Sequence, residues 1–411
     1  MSRPTLLAAL ALAYTPLLFA TEPGPAPTIS QGMKDKPFPH ISWRSEDGDA
    51  SLDIGGALRA NYRYEDWDSS INRPARWLFD TFRLDVQGRY EQFSVDAGYW
   101  FQDRNKRAVD RAYLGYRFDE RSDLQVGAPA RPFGLLPYPQ FGWSYHIPFF
   151  LGFGVNTGTG LKYGYKDSNW DFQAAYYPRM LPSSIRYAPE VGRYADLKDN
   201  AIPALHGRQD NEKRDQVNLR LARSFQAGDW NNELGASLAA SRLYNATTDD
   251  NGSFWAAGAH GVFKNGPWTI STQAIRYEYD PKNPSGVSDD AVLMGGNGLT
   301  PAFLIAAKGS IGGLNVGYDV ATPWLGPVKK VKLYNDYSRL WKDKSGWDDS
   351  QMYTAGIQFF ALPVMAWLDF TWARNANPWG GAENGTGWTS TTSSGSNDWY
   401  FRTNLNIGYY F

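Results

Sequence analysis

The chain has 411 residues, a net charge of −1, no Cys, and 16% aromatic residues that include 17 Trp and 25 Tyr. The missing Cys excludes a disulfide scaffold and a thiolate metal site, and the near-neutral charge points to no nucleic-acid partner. Beyond the N-terminus no apolar run is long enough for a spanning helix, yet the chain is aromatic-rich and its mean hydropathy is negative. Lipid-facing apolar residues diluted by lumen-facing polar ones would produce that balance.

Met1–Ala20 carries one charge, Arg3, then an apolar run ending on Ala20. It reads as a secretory signal peptide. Residues 21–50 are Pro-rich and read as a periplasmic lead-in, followed by a barrel over 51–411. The first strand alternates cleanly. Leu52, Ile54, Leu58, Ala60, Tyr62 and Tyr64 share one face; Asp53, Arg59, Asn61, Arg63 and Glu65 share the other. The same alternation runs through Phe82–Tyr90, Phe93–Phe101, Ala112–Phe118 and Leu124–Ala128.

Downstream, paired strands are predicted around turns at Asp167-Ser168-Asn169, Ala227-Gly228-Asp229, Asn265-Gly266-Pro267, Leu325-Gly326-Pro327 and Leu362-Pro363. Long polar loops at about 66–77, 130–157, 178–213, 280–303, 340–350 and 374–397 alternate with the short turns, as in outer-membrane barrels. Single-chain bacterial barrels have even strand numbers. Residues 301–321 are therefore read as a loop end plus one strand, which gives about sixteen strands.

In the last strand Phe401, Thr403, Leu405, Ile407, Tyr409 and Phe411 oppose Arg402, Asn404, Asn406 and Gly408. A closing strand that ends on Phe411 resembles the signal read by the barrel assembly machinery, an expected partner. The fold expected is all-β: a transmembrane antiparallel barrel of the bacterial outer membrane, in contact with its lipids.

The lumen face of this barrel is basic, with Arg59, Arg63, Arg83, Arg111, Arg117, Lys162, Lys166 and Arg220 as candidate pore-lining and solute-binding residues. Arg89, Lys330, Lys332 and Arg402 add to them. Rings of Arg or Lys favour anions such as phosphate or carboxylates. The alternative is that Asp53, Glu65, Asp85, Asp96, Asp171 and Asp336 pair with them across strands and leave little selectivity.

Two rival functions follow from other residues. An aromatic path through Tyr138, Trp143 and Tyr145, with Trp100 and Tyr113, would suit a sugar channel. An outer-membrane enzyme would draw on the four His, but none lies in a GxSxG or HExxH motif, and Ser144 beside His146 reads as loop chemistry. The chain is therefore expected not to be an enzyme. No cofactor or metal is implied, although Asp249-Asp250-Asn251-Gly252 and Asp348-Asp349 could meet calcium in outer loops.

The segments DGDASLDIGGALRANYRYED (47–66), DRAYLGYRF (110–118) and LQVGAPARPFGLLPY (124–138) resemble the phosphate-selective, O/P-like porin family of Gram-negative outer membranes. The resemblance covers roughly the first third of the chain. It implies a homotrimeric passive channel for small hydrophilic solutes, whose third loop, about Arg131–Thr157, folds inward. Arg131, Tyr138, Trp143 and Tyr145 would then be constriction-loop residues. The loop is also too apolar to lie exposed, with Phe141, Pro148 and Phe149–Phe153 alongside them.

Overall fold

The structure, a computed structural model, describes residues 38–66, 75–102, 107–154, 156–179, 209–294, 303–376 and 397–411. The expected signal peptide, the expected lead-in up to residue 37, and most of the loops expected at 66–77, 178–213 and 374–397 lie outside the described residues. No described helix is long and apolar enough to cross a membrane.

The strands are β1 (Ile41–Arg44), β2 (Ala50–Glu65), β3 (Arg76–Tyr90), β4 (Phe93–Gln102), β5 (Arg107–Arg117), β6 (Ser122–Ala128), β7 (Thr159–Lys166), β8 (Trp170–Arg179), β9 (Asn211–Ala227) and β10 (Trp230–Asn245). They continue as β11 (Asp250–Asn265), β12 (Trp268–Asp280), β13 (Ala291–Met294), β14 (Phe303–Ala306), β15 (Lys308–Ala321), β16 (Lys330–Lys342), β17 (Ser350–Ala361), β18 (Val364–Arg374) and β19 (Tyr400–Tyr410). One short helix, α1 (Ile147–Phe150), lies between β6 and β7.

β2–β12 and β15–β19 form sixteen antiparallel barrel strands, each paired with its neighbour. β19 closes the ring on β2, with Tyr409 opposite Leu58 and Arg402 opposite Glu65. The strands pair edge to edge around the ring, broken by bulges near Arg59, Gly98, Thr159 and Ala240, so that the backbone is satisfied between strands as a bilayer demands.

The turn chemistry sets the hairpins. Gly266 has φ +51 at the first central position between β11 and β12, which a two-residue hairpin with a leading Gly requires. The register follows with Asn265 opposite Trp268.

Two elements depart from the sequence reading. Ile41–Arg44, inside the expected lead-in, pairs with Ser51–Ile54 of β2. It occupies the lane that β19 vacates at Phe411, whose backbone bonds both ways with Gly56. Phe303–Ala306, expected as a loop end, pairs with Ala291–Met294 in a separate two-stranded sheet.

Outward residues are apolar and open. Leu58 is 52% exposed and Leu114 65%. Phe93, Phe118, Trp170 and Trp268 stand exposed beside the short turns, and Trp77, Trp341 and Trp372 towards the long loops. An apolar band between two aromatic girdles around a closed barrel belongs in a bilayer, and this is a bacterial outer-membrane barrel.

Candidate functional site

The third loop enters the barrel as a tongue. Its neck is closed by a bridge between Ala130 and Thr157 and by the Arg131 amide bonding the Asn156 carbonyl at 2.7 Å. From there the tongue follows the inner wall. Asn218 Nδ2 donates to the Pro132 carbonyl at 3.3 Å, and Arg220 Nε to that of Gly134 at 3.0 Å. The Gly134 amide bonds Ser237 Oγ, and Asn315 Nδ2 reaches the Pro139 carbonyl at 2.9 Å.

Further along, two inward carboxylates hold the tongue by its backbone. Asp336 on β16 accepts the amides of Phe141 at 3.1 Å and Gly142 at 2.7 Å, and Asp369 on β18 accepts that of Ser144. Position 142 is tight: a Cβ there would lie 3.1 Å from Asp336 Oδ2 and 3.2 Å from Asp369 Oδ2, so both carboxylates would have to give by a few tenths of an ångström. His146 then bonds Ser338 Oγ at 3.0 Å and Thr354 Oγ1 at 2.9 Å. Complete burial, with no carboxylate in contact, pushes its pKa down to about 3.

Beyond His146 the tongue becomes dry. Ile147, Phe149, Phe150, Leu151 and Phe153 join Val292, Met294, Phe303 and Ile305 of the β13–β14 hairpin in one apolar cluster. The wall supplies Leu243, Phe254, Tyr277, Tyr279 and Leu340, all inward by strand parity. The lumen beside β10–β18 therefore contains a packed core towards the long-loop side. Sequence reasoning missed this core, because inward apolar residues break the polar-in pattern and the hairpin residues are few.

The charged groups lie mostly on β2–β9, with Glu233 of β10 and His260 of β11 beside Arg220. Arg59 pairs with Asp80 at 3.0 Å, Arg63 with Glu65 at 3.3 Å, and Arg83 with Asp85 at 2.8 Å. Arg111 meets Asp96 at 2.6 Å, Asp110 at 2.9 Å and Asp85 at 3.1 Å. Arg220 meets Glu233 at 2.7 Å and Asp171 at 3.3 Å, with His260 Nε2 at 3.0 Å. Across strands, Asp85 and Asp96 meet Arg111, Asp171 meets Arg220, and Glu65 meets Arg402 at 3.6 Å, whereas Arg63–Glu65 and Arg83–Asp85 pair within one strand. Asp53 instead pairs with Arg44 of β1, and Asp336 takes the tongue amides.

The candidate lining residues fall into two groups. Arg63 and Arg83 are partly exposed to the lumen, Arg111 is nearly enclosed by its three carboxylates, and Arg117 and Lys166 sit at the short-turn end. Arg59, Lys162, Arg220 and Arg131 are buried instead. Arg59 lies between two indoles, 4.8 Å from the Trp100 ring and 4.7 Å from that of Trp143. Arg131 Nη1 donates to Gln216 Oε1 at 3.3 Å.

Of the aromatic candidates, Trp100 and Tyr113 are buried and Tyr145 stacks on Phe149 with ring centres 3.9 Å apart. Tyr138 is 40% exposed, and Phe141 and Trp143 are half-buried.

Among the described residues no group of three or more His, Asp or Glu could hold a metal. In the acidic outer loops, Asp249 accepts the Tyr244 hydroxyl and Asp349 pairs with Arg339.

No protein-family model matches the chain, and no curated protein matches it. Solved structures do share its fold. The outer membrane channel DcaP of Acinetobacter baumannii superposes with a TM-score of 0.56 at 12% identity, covering 90% of this chain and 99% of that one. The anion-selective porin of Comamonas acidovorans gives 0.52 at 12%, over 88% and 100%. OmpT of Vibrio cholerae in its trimer form gives 0.52 at 13%, over 88% and 99%.

The chain thus has the fold of outer-membrane porins. One expectation is corrected. The expectation that the chain is not an enzyme is withdrawn: the barrel shared with OmpT is a fold, and a fold does not decide activity.

Proposed function

We propose that the chain is a passive diffusion channel of the outer membrane for small hydrophilic solutes and ions. The observation that carries this reading is the division of the lumen. A packed core covers β10–β18 towards the long loops, the tongue runs along the inner wall from β9 to β18, and polar and charged side chains line β2–β9. That arrangement narrows a barrel otherwise wide enough for an aqueous channel. Ion preference is weak, because carboxylates accompany the guanidiniums of Arg63, Arg83 and Arg111. Specificity for phosphate or carboxylates would need cations freed from those partners. Membership of the phosphate-selective family rests on the segments at 47–66, 110–118 and 124–138.

In this reading residues 1–20 are removed on export and three copies assemble, as the trimer form of the OmpT likeness suggests. Phe411 addresses the chain to the assembly machinery. The test is ion conductance of the refolded protein in a planar bilayer. Stable steps of current support a channel, and a barrel that is folded but silent opposes it.

A further inference from the structure

The seam of the barrel dictates where the first described residues go. β19 stops at Phe411, whose amide donates to the Gly56 carbonyl at 3.1 Å. β1 fills the same lane towards the short turns, with Ile41 opposite Ile54 and Arg44 opposite Ser51. The place beside Gly56 is thus taken, and the chain before His40 has to leave the sheet.

It leaves inward. The Phe38 ring stacks on Tyr410 with centres 5.3 Å apart and 27° between the planes. Tyr410 is buried and points into the lumen, like Arg402, Asn404 and Asn406 of the same strand. Phe38 therefore adds a layer of side chain on the lumen side of the wall, where it is half-buried. Its carbonyl lies 2.9 Å from His40 Nδ1, which closes the turn.

Behind Phe38 the strand is two-faced. Ile41 and Trp43 stand exposed on the outside, as suits a membrane interface. On the inside Asp53 accepts two bonds from Arg44, at 2.9 and 3.1 Å, and has His40 Nε2 at 3.5 Å. One carboxylate thus clips both ends of the segment.

The tongue reaches the same place from the long-loop side. Phe38, Phe141 and Trp143 all pack against one inward cluster of Ala57, Tyr334, Trp367 and Tyr410. Trp143 meets Trp367 and Phe141 meets Tyr334, with ring centres 5.2 and 6.4 Å apart.

We propose that Phe38–Arg44 is a second constriction element: a strap, clipped to Asp53, that carries Phe38 into the lumen beside the tongue and limits the width of the aqueous path. The proposal rests on the channel reading and adds a residue that sets pore size.

The experiment compares single-channel current steps of the refolded full chain and its variants in a planar bilayer. F38A removes the ring and leaves the clip; D53N weakens the clip. Both should give larger steps than the parent. Ile41 and Ile54 stand opposite each other, and the chain has no Cys. Opposed residues on antiparallel strands lie within disulfide reach. An oxidised I41C/I54C pair in the D53N background should therefore return the steps to the parent size, and reductant should enlarge them again. Parent-sized steps in F38A, or D53N steps that the disulfide leaves unchanged, would overturn the strap and leave the channel standing. A folded parent without current would instead overturn the channel reading.

Discussion

Asp336 on β16 accepts the backbone amide of Gly142 at 2.7 Å, so a carboxylate of the barrel wall fixes the position of the third loop. Phe141 donates to the same carboxylate. The tongue is held here through its backbone, and its side chains remain available to pack or to face the lumen.

Replacing Asp336 by Leu leaves the amides of Phe141 and Gly142 buried and without an acceptor. Each orphaned N–H costs about 1–3 kcal/mol. The expected outcome is a loosened tongue, seen as faster proteolysis within residues 131–156 and a noisier current. Cleavage as slow as in the parent protein would show that the tongue is held elsewhere.

His146 makes tongue docking pH-dependent. Docked, its ring stays neutral until about pH 3; released into water it gains a proton near pH 6.5. Its contribution to docking is therefore complete above about pH 6.5 and falls as the pH drops towards 3, by about 1.4 kcal/mol per pH unit. Protease susceptibility of the tongue should rise over that window, and H146Q should lose this part of the slope. An unchanged slope in H146Q would assign the effect to other groups.

Arg59 is clamped between Trp100 and Trp143 and pairs with Asp80. R59K keeps the charge but loses the planar stacking, at a cost of about 0.5–2 kcal/mol. R59A also leaves Asp80 without this partner, so the channel should shift further towards cations than in R59K. Equal reversal potentials in the two variants would contradict this.

Arg111 is shared by three carboxylates. R111Q leaves Asp85, Asp96 and Asp110 without their shared cation. Removing one partner of a buried ion pair costs about 3–5 kcal/mol, and the remaining field favours cations. The measurements are thermal stability of the folded barrel and reversal potential in a salt gradient.

The sequence was most legible where the periodicity was simplest. Alternation in Leu52–Glu65 and Phe401–Phe411 located the two strands that close the ring, and the apolar run from Phe149 to Phe153 marked a loop that could not stay in water. Parity also placed Arg59, Arg83 and Lys162 on the inner face, but parity does not distinguish an open lumen from a filled one. Arg59 proved to be stacked and Lys162 buried. Asp336 looked like a partner for a cation, yet it binds backbone amides, which leave no signature in side-chain sequence. The pairing of Ala291–Met294 with Phe303–Ala306 was hidden because neither segment is long enough to show a period.

The central claim is that the wall of paired charges and the tongue leave a weakly selective aqueous path. Single-channel recording of the refolded chain in a salt gradient tests it most directly. The account predicts stable conductance with a reversal potential close to zero. A folded barrel without conductance, or a reversal potential near that of a pure anion channel, would contradict it.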